Sequence, residues 1–339
     1  MKIATRGLAK SAARNLPGPV RRWVRTMDSL FASRPVVDRR RGRTLERGAV
    51  VLSLDFELAW AWPYAVNPPV DPVATGLRER EQVPMLVRTF EEFSIPATWA
   101  TVGHLFLERC SRGSTGCAHE HLARLPFFEN HLWRFSKGDW FQHDPCTDVR
   151  RDPAWYGPDL IQLILGSRVR HEIGCHGFSH AGLGPYCPPD VARAEAEECR
   201  KVMKDFGVEP VSWVFPGNDE GNHQALWDSG IRIVRSYPRA VHIALPEKRP
   251  DGLWEVHSST GLSRGEGWPM ERRLTRLKRF LQRAVETRMA MHLWLHPSLD
   301  LDDYRGLLVP FLRACAELRE AGRLDVVTMS GLVSAVDTL

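Results

Sequence analysis

The chain has 339 residues, 43% hydrophobic and 26% charged, a composition that supplies a sizeable core and excludes a disordered, collagen-like or low-complexity protein. The net charge of +5 is uneven, because residues 1–48 carry 13 basic and three acidic side chains while the rest carry 33 basic and 38 acidic ones. A nucleic-acid enzyme would carry its basic surface on the folded body, so this acidic body argues against nucleic acid as a partner.

Residues 1–48 are predicted to form a basic N-terminal arm ahead of a single domain over 49–339. Lys10 and Arg14 interrupt the arm, so it lacks the apolar stretch of a secretory signal. Residues 19–31 place apolar side chains at near-helical spacing, which predicts a short amphipathic basic helix. We favour packing of this helix on the protein's own body, or a frayed terminus. The alternative is a peripheral contact with an anionic membrane surface.

From Ala49 onwards, short β-rich runs alternate with amphipathic helical stretches. This alternation predicts an α/β fold with a parallel sheet and external helices. Seven or eight such units favour one closed barrel over two domains. The predicted strands are 49–55, 96–101, 171–175, 211–215, 231–235, 253–257, 289–295 and 324–328. The predicted helices are 77–93, 157–167, 189–206, 222–229, 270–287 and 303–320.

One long insertion, residues 108–156, interrupts the alternation and shows little periodicity after about Arg134. It is rich in histidine and aromatic side chains. Loops of this length inside a compact barrel are usually functional or disordered, and the aromatic content argues against disorder.

Two acids follow the first predicted strand. Asp55 and Glu57 are two residues apart, so in a strand they face the same side. They stand at the C-terminal end of a barrel strand, where such folds keep their active sites. The alternative is a pair of ordinary strand-end acids that face water or cap a helix.

Two histidines, His176 and His180, follow the predicted strand 171–175. Gly177 permits a tight turn between them, and Ser179 is suited to cap a following helix. Imidazole together with carboxylate is a ligand set for zinc or a similar divalent ion. The alternative is two histidines held by local hydrogen bonds.

Two further strands end in residues able to take part in chemistry. His296 follows the strand 289–295, where an imidazole can protonate a leaving amine. Pro216, Gly217 and Asn218 follow the strand 211–215, an exit that also fits an ordinary loop. Four such signals at four strand ends are hard to explain by packing alone.

Over about residues 50–327, these motifs resemble the polysaccharide deacetylase family (carbohydrate esterase family four). Asp55-Phe56-Glu57 looks like its first motif, and the segment from His176 to His180 looks like its second and is the most specific match. Residues 215–218 sit where the third motif should be, and residues 293–296 resemble the last. The resemblance implies a distorted (β/α)7 barrel with parallel strands. It also implies metal-dependent removal of an acyl group from an amide nitrogen on a sugar.

The resemblance also implies roles for individual residues. Asp55 would be the catalytic base and His296 the general acid. A divalent cation, Zn²⁺ before Co²⁺, Ni²⁺ or Mn²⁺, would be held by Glu57, His176 and His180. The acyl-methyl pocket would lie near Leu293 and Leu295.

The sequence departs from the family in two ways. Its two acids are separated by Phe56 rather than adjacent, so the roles of Asp55 and Glu57 can be exchanged. Gly217 stands near the place where an arginine usually holds the base, and Arg235 or Asn218 is the expected substitute.

The insertion is predicted to shape substrate choice as a lid, because aromatic faces pack on sugar rings. The alternative is a surface subdomain with its own small core. The residues predicted to contact substrate there are Trp140, His143, Asp144, Trp155 and Tyr156.

The predicted function is N-deacetylation of a glycan, a sugar nucleotide or a lipid-linked sugar. The alternatives are another C–N hydrolase, such as a deformylase or cyclic amidase, and a non-catalytic metal- or carbohydrate-binding relic. The seven cysteines are odd in number and include no CxxC pair. Together with the lack of a secretory signal, they favour a cytoplasmic location.

Overall fold

The computed structural model describes residues 35–38, 42–69, 71–237, 242–263 and 267–338. The predicted amphipathic helix over 19–31, and with it the proposed membrane contact, lies outside these residues. Part of the predicted arm is described and pairs with the domain: Val37 bridges to Ile243, and the Asp38 N–H donates to the Ile243 carbonyl over 2.9 Å.

A curled, mostly parallel sheet forms the centre of the fold. The strands are β1 Gly48–Phe56, β2 Thr98–Thr101, β3 Phe128–Glu129, β4 Arg134–Phe135, β5 Glu172–Cys175, β6 Ser212–Val214, β7 Ile233–Ser236, β8 Ile243–Ala244, β9 Glu247–Lys248, β10 Trp254–His257, β11 Thr260–Gly261, β12 Ala290–Leu295 and β13 Leu324–Val327. Seven of them run parallel in the order β12-β1-β2-β5-β6-β7-β10, and all eight predicted strands are confirmed within a few residues.

Helices connect the strands on the outside of this sheet. The structure contains α1 Pro72–Phe93, α2 Pro158–Leu165, α3 Pro189–Lys204, α4 His223–Asp228, α5 Met270–Thr287, α6 Leu301–Asp303, α7 Val309–Glu320 and α8 Met329–Asp337. A π-helical turn divides the predicted helix 303–320. The sequence did not predict α8, which Thr328 caps by accepting from the Gly331 N–H over 3.2 Å. Among the described residues, no helix has the length and apolarity to cross a membrane.

The distorted (β/α)7 barrel is confirmed, but its closure is incomplete, which corrects the expectation of a closed barrel. Among the described residues, β10 and β12 do not pair with each other. The chain after β10 bridges the gap, since the Ser258 N–H donates to Ser236 O over 3.0 Å and the Ser259 N–H donates to His292 O over 2.8 Å. All nine residues of β1 are buried, as expected for a central parallel strand covered on both faces.

The insertion adds only one short hairpin, β3–β4, to the sheet structure. Its apolar side chains, among them Phe135, Phe141 and Tyr156, belong to the same buried cluster as the barrel core. The insertion therefore packs onto the barrel through a continuous core instead of forming a separate one.

Candidate metal centre and active site

The carboxyl ends of β1 and β5 bring three predicted metal ligands together. Nε2 of His176 lies 2.8 Å from Oε1 of Glu57, and Nε2 of His180 lies 3.1 Å from the same oxygen. All three side chains are buried. We call Glu57, His176 and His180 the barrel cluster. Their mutual distances allow all three to touch one ion.

The turn after β5 places the two histidines by local strain and by one buried acid. Gly177 and His180 both have left-handed backbone angles, with φ of 73° and 61°. Glu195 of α3 accepts the Ser179 N–H over 2.9 Å and the Ser179 hydroxyl over 2.5 Å. Ser179 thus anchors the turn to α3 and, contrary to the expectation from sequence, does not cap a helix, since α3 begins only at Pro189.

The hydrogen bonds of His176 show which of its nitrogens could ligate a metal. Its Nδ1 lies 2.8 Å from the Val214 carbonyl oxygen, which can only accept, and its Nε2 faces the Glu57 carboxylate. A neutral imidazole with its proton on Nδ1 presents the Nε2 lone pair to Glu57, whereas a hydrogen bond from Nε2 to Glu57 requires the doubly protonated ring. A cation between Nε2 and Glu57 would favour the neutral form, since ligating histidines commonly donate their other N–H to a carbonyl.

The pKa of Glu57 reflects its cationic surroundings. Burial raises the pKa of this carboxyl, but the charges of His180 and His296 and hydrogen bonds from both cluster histidines lower it well below its ordinary value. The carboxylate is therefore ionised at neutral pH, the form that binds a metal ion.

Asp55 is held by Arg235, one of the two substitutes expected from the sequence. The guanidinium donates to Oδ1 of Asp55 over 2.5 Å and to Oδ2 over 2.7 Å. Both residues are buried, with Arg235 2% exposed. Ser53 accepts a further Arg235 hydrogen bond over 3.0 Å and lies 2.8 Å from Nε2 of His292. A bidentate pair of this kind fixes the carboxylate in one orientation.

His296 lies at the end of β12 and reaches the same centre. Its Nε2 is 3.8 Å from Oε2 of Glu57, and the side chain is 37% exposed. Asp55, Glu57 and His296 also lie within 4.8 Å of one another. The imidazole is therefore close to both acids and open to solvent on one side.

The turn after β6 differs from the family pattern for a steric reason. A Cβ added at Gly217 would lie 2.6 Å from Nε1 of Trp133, and the Gly217 backbone has a φ of +60°. The Trp133 ring also packs edge-on against His180, with 5.3 Å between ring centroids. A large side chain at position 217 would displace this indole. Asn218 follows in the same short turn.

A cleft beside His180 is lined by aromatic side chains from two segments. It includes two predicted substrate residues, Trp140 and His143, and Trp133 and Tyr64, which the sequence did not predict. Tyr64 stacks on Trp140 with 4.4 Å between ring centroids. The Trp140 indole donates to the Ser179 hydroxyl over 2.8 Å, which ties the cleft wall to the histidine turn.

The other predicted substrate residues lie deeper. Asp144 borders the same cleft, but its side chain is buried among His104, His119 and Cys110. The remaining four are also buried, so their contact with substrate stays a prediction that requires the cleft to open. They are Trp155, Tyr156, Leu293 and Leu295.

Glu79 of α1 is a site residue that the sequence reasoning missed. Its Oε1 accepts the backbone N–H groups of Glu57 over 2.8 Å and of Leu58 over 3.1 Å. Burial, followed by the charge of Glu57, raises the pKa of Glu79 to about 8. A signal was present, because Glu79 falls on the same face of α1 as the core residues Val83, Leu86 and Phe90, an unusual place for an acid.

Comparisons with known proteins identify the fold. No protein-family profile matches the sequence, and no curated protein matches it. A protein from Mycobacterium smegmatis assigned as a polysaccharide deacetylase matches with a TM-score of 0.56 and 17% identity, over 90% of this chain and 94% of its own.

Two further solved structures are similar. One from Pseudomonas aeruginosa PAO1, also assigned as a polysaccharide deacetylase, has a TM-score of 0.57 and 13% identity, over 85% of this chain and 90% of its own. Puue allantoinase has a TM-score of 0.57 and 12% identity, over 86% of this chain and 90% of its own. The chain therefore has the barrel fold of polysaccharide deacetylases, which the allantoinase shares.

Proposed function

We propose that this chain is a metal-dependent hydrolase that removes an N-acetyl or other N-acyl group from a sugar. One observation carries the proposal: an imidazole nitrogen from each of two histidines lies close to one Glu57 oxygen. Asp55, held by Arg235, and the partly exposed His296 lie beside them. A ligand group, a base and an acid thus meet at the rim of a barrel where such folds place their active sites.

The barrel cluster suits a divalent cation. Two imidazoles and one carboxylate are the three-protein-ligand set of catalytic zinc sites, which keep a further position open. We therefore assign Zn²⁺ before Co²⁺, Ni²⁺ or Mn²⁺. When bound, such an ion polarises an amide carbonyl and makes water more acidic.

Asp55 and His296 divide the proton transfers between them. Each Asp55 oxygen accepts one guanidinium hydrogen bond, which leaves a lone pair free on each. Asp55 takes the proton of the water that attacks the amide carbon, and His296 gives a proton to the amine nitrogen as the C–N bond breaks. The products are a carboxylic acid and a free amino sugar.

The aromatic lining of the cleft supports a carbohydrate as the acylated substrate. Tyr64, Trp133, Trp140 and His143 have flat apolar faces with polar edges, which suit sugar rings, and a ring would enter only after the cleft widens, because Tyr64 covers the face of Trp140. We include glycans, sugar nucleotides and lipid-linked sugars in this class. The described cysteines are all unpaired, which fits the cytoplasmic location included in the proposal.

A second candidate is hydrolysis of a small cyclic amide. The fold likeness to Puue allantoinase favours it as much as the likeness to the deacetylases favours the first. The non-catalytic alternative loses its main support, because the guanidinium that Gly217 does not provide is supplied by Arg235.

The experiment is a screen for acyl release with the Zn²⁺-loaded chain and its Asp55→Asn variant. The substrates are N-acetylated and N-formylated sugars, their nucleotide and lipid conjugates, and allantoin, with mass change as the readout. We expect acetate release that the variant loses by about 10²–10⁴-fold, since one proton-transfer group supplies about that much.

A control and a metal analysis complete the test. His131→Ala removes an exposed histidine of the insertion and should keep both metal and activity. Turnover of allantoin alone would replace the first candidate with the second. No turnover of any substrate by metal-loaded protein would refute both.

A further inference from the structure

We propose that His104, Cys110, His119 and Asp144 form a second metal site, a structural zinc centre that fixes the insertion onto the barrel. We call these four residues the insertion cluster. The proposal does not depend on the proposed function, because it concerns residues outside the barrel cluster and the proton-transfer groups.

Four donor atoms from separate points of the chain converge at this cluster. Oδ2 of Asp144 lies 3.1 Å from Nε2 of His104, 3.0 Å from Nε2 of His119 and 3.3 Å from Sγ of Cys110. All four donors lie within 4.8 Å of one another. A tetrahedral zinc site with bonds of about 2.0–2.3 Å places its ligand atoms about 3.3–3.8 Å apart, so small shifts would suffice.

The site is mostly buried, with Cys110 and His119 partly exposed. The side chains of His104 and Asp144 have no exposed surface, and that of His119 is 8% exposed. Burial of this kind requires each polar atom to have a partner, because water is not available to supply one.

His104 provides the observation that favours a metal ion over hydrogen bonds alone. Its Nδ1 lies 3.3 Å from the Trp155 carbonyl oxygen, while its Nε2 faces the Asp144 carboxylate. Both partners are acceptors, and a neutral imidazole has one N–H. His176 of the barrel cluster shows the same arrangement, with a main-chain carbonyl at Nδ1 and a carboxylate at Nε2.

The donor types select the ion. Two imidazole nitrogens, one thiol sulfur and one carboxylate oxygen complete a four-coordinate zinc site, and the sulfur disfavours magnesium and calcium. On binding, the Cys110 thiol loses its proton to solvent and the thiolate becomes the ligand.

Neighbouring groups hold the ligands in place. The Cys146 N–H donates to Oδ1 of Asp144 over 2.8 Å, and the Tyr156 hydroxyl lies 3.2 Å from Sγ of Cys110. Hydrogen-bonded supports of this kind are typical of protein metal sites.

The consequence is a cross-link through a segment poor in regular structure. Between the short helical turn that holds His104 and the start of α2, the described chain has only the hairpin β3–β4 as regular structure. An ion bound to all four residues would fix the loops that carry Trp133, Trp140 and His143 to the cleft.

The first test is the zinc content of the full chain after loading and desalting. We expect Cys110→Ser to lose one equivalent relative to the wild type, and the His176→Ala/His180→Ala double variant to keep that equivalent. Cys117→Ser changes a cysteine of the same insertion that is outside the cluster, and it should match the wild type. Equal zinc in wild type and Cys110→Ser overturns the proposal.

The second test needs no substitution in the insertion cluster, so it decides even if Cys110→Ser does not fold. The His176→Ala/His180→Ala variant is loaded with Co²⁺ and its absorption spectrum is recorded. A thiolate-to-cobalt charge-transfer band is expected, and its absence overturns the proposal. Free thiols are also counted in unreduced, denatured protein. A Cys110–Cys146 disulfide would lower this count by two and would overturn the proposal, because Cys110 would then have no thiolate to bind zinc.

Discussion

The barrel cluster and the insertion cluster are built alike at their centres and differ at their edges. Each directs two imidazole Nε2 atoms at one carboxylate oxygen, and each has one imidazole whose Nδ1 meets a main-chain carbonyl. The barrel cluster has three ligands and lies beside His296, which is 37% exposed. The insertion cluster has a fourth donor, Cys110, and its His104 and Asp144 side chains have no exposed surface.

The difference shows what separates a site for chemistry from a site for stability. Three ligands leave a coordination position for a reactant, whereas four close the sphere. The proposed base and acid, Asp55 and His296, also lie within reach of Glu57 in the barrel cluster. The number of ligands and these proposed proton-transfer groups, more than the shared histidine–carboxylate centre, distinguish the two sites.

The largest expected effect comes from His176→Ala. It removes one of three ligands, so we expect loss of one metal equivalent and a loss of turnover larger than the roughly 10²–10⁴-fold of a single proton-transfer group. Metal analysis and the acyl-release assay measure the two effects. Full metal content and full activity in this variant would contradict the assignment of His176 as a metal ligand of the barrel cluster.

His296→Ala is expected to have a smaller and cleaner effect. The imidazole is not part of the barrel cluster, so the metal content should stay unchanged while kcat falls by about 10²–10⁴-fold. Substrates with a better leaving amine should recover part of the loss, since they need less protonation. An unchanged kcat in this variant would contradict the assignment of His296 as the general acid.

The smallest expected effect concerns stability and pH in the metal-free protein. Glu79 has a pKa of about 8 in the fold against an ordinary value of 4.5, because burial and then Glu57 disfavour its charge. Its proton therefore stabilises the fold fully below about pH 4.5, and this contribution is lost as the pH rises through 8. The loss amounts to at most about 5 kcal/mol.

Glu79→Gln tests this dependence. Both backbone hydrogen bonds go to Oε1, an atom that glutamine retains. We expect a flatter profile of unfolding free energy between pH 5 and 9 for chelator-treated variant than for wild type. Glu81→Gln, on an exposed position of the same helix, is the matched control. Parallel profiles for wild type and Glu79→Gln would contradict the assignment.

In the metal-free protein, Asp144 of the insertion cluster should make stability depend on pH with the opposite sign. Burial raises the pKa of Asp144, but hydrogen bonds from His104 and His119 lower it below its ordinary value. Its contribution is therefore present above the ordinary pKa and is lost as the pH falls through the lower folded value.

Most of the barrel could be predicted from sequence because its signals are local. Each strand is a short apolar run, and the polar residues that follow β1, β5 and β12 meet because parallel strands share one rim. Arg235 was identified as a candidate partner of Asp55 for the same reason, as it stands on β7, the strand next to β6, where the arginine was expected.

The insertion could not be predicted in this way. His104, Cys110, His119 and Asp144 have no regular spacing, and only the packing of irregular loops on the barrel brings them together. The lack of a CxxC pair describes the spacing of the cysteines along the chain and does not predict which residues meet in space. Asp144 was expected at the substrate, and the fold turns its side chain towards the histidines.

The packing of Trp133 over the turn at Gly217 affects how such barrels are recognised and redesigned. A search pattern that demands arginine at this turn would reject the chain, although the guanidinium that grips Asp55 is present on the adjacent strand. Grafting the missing arginine back would first require a smaller residue in place of Trp133, whose indole fills that space. An arginine that holds this aspartate should therefore be sought by its contacts in three dimensions rather than at a fixed sequence position.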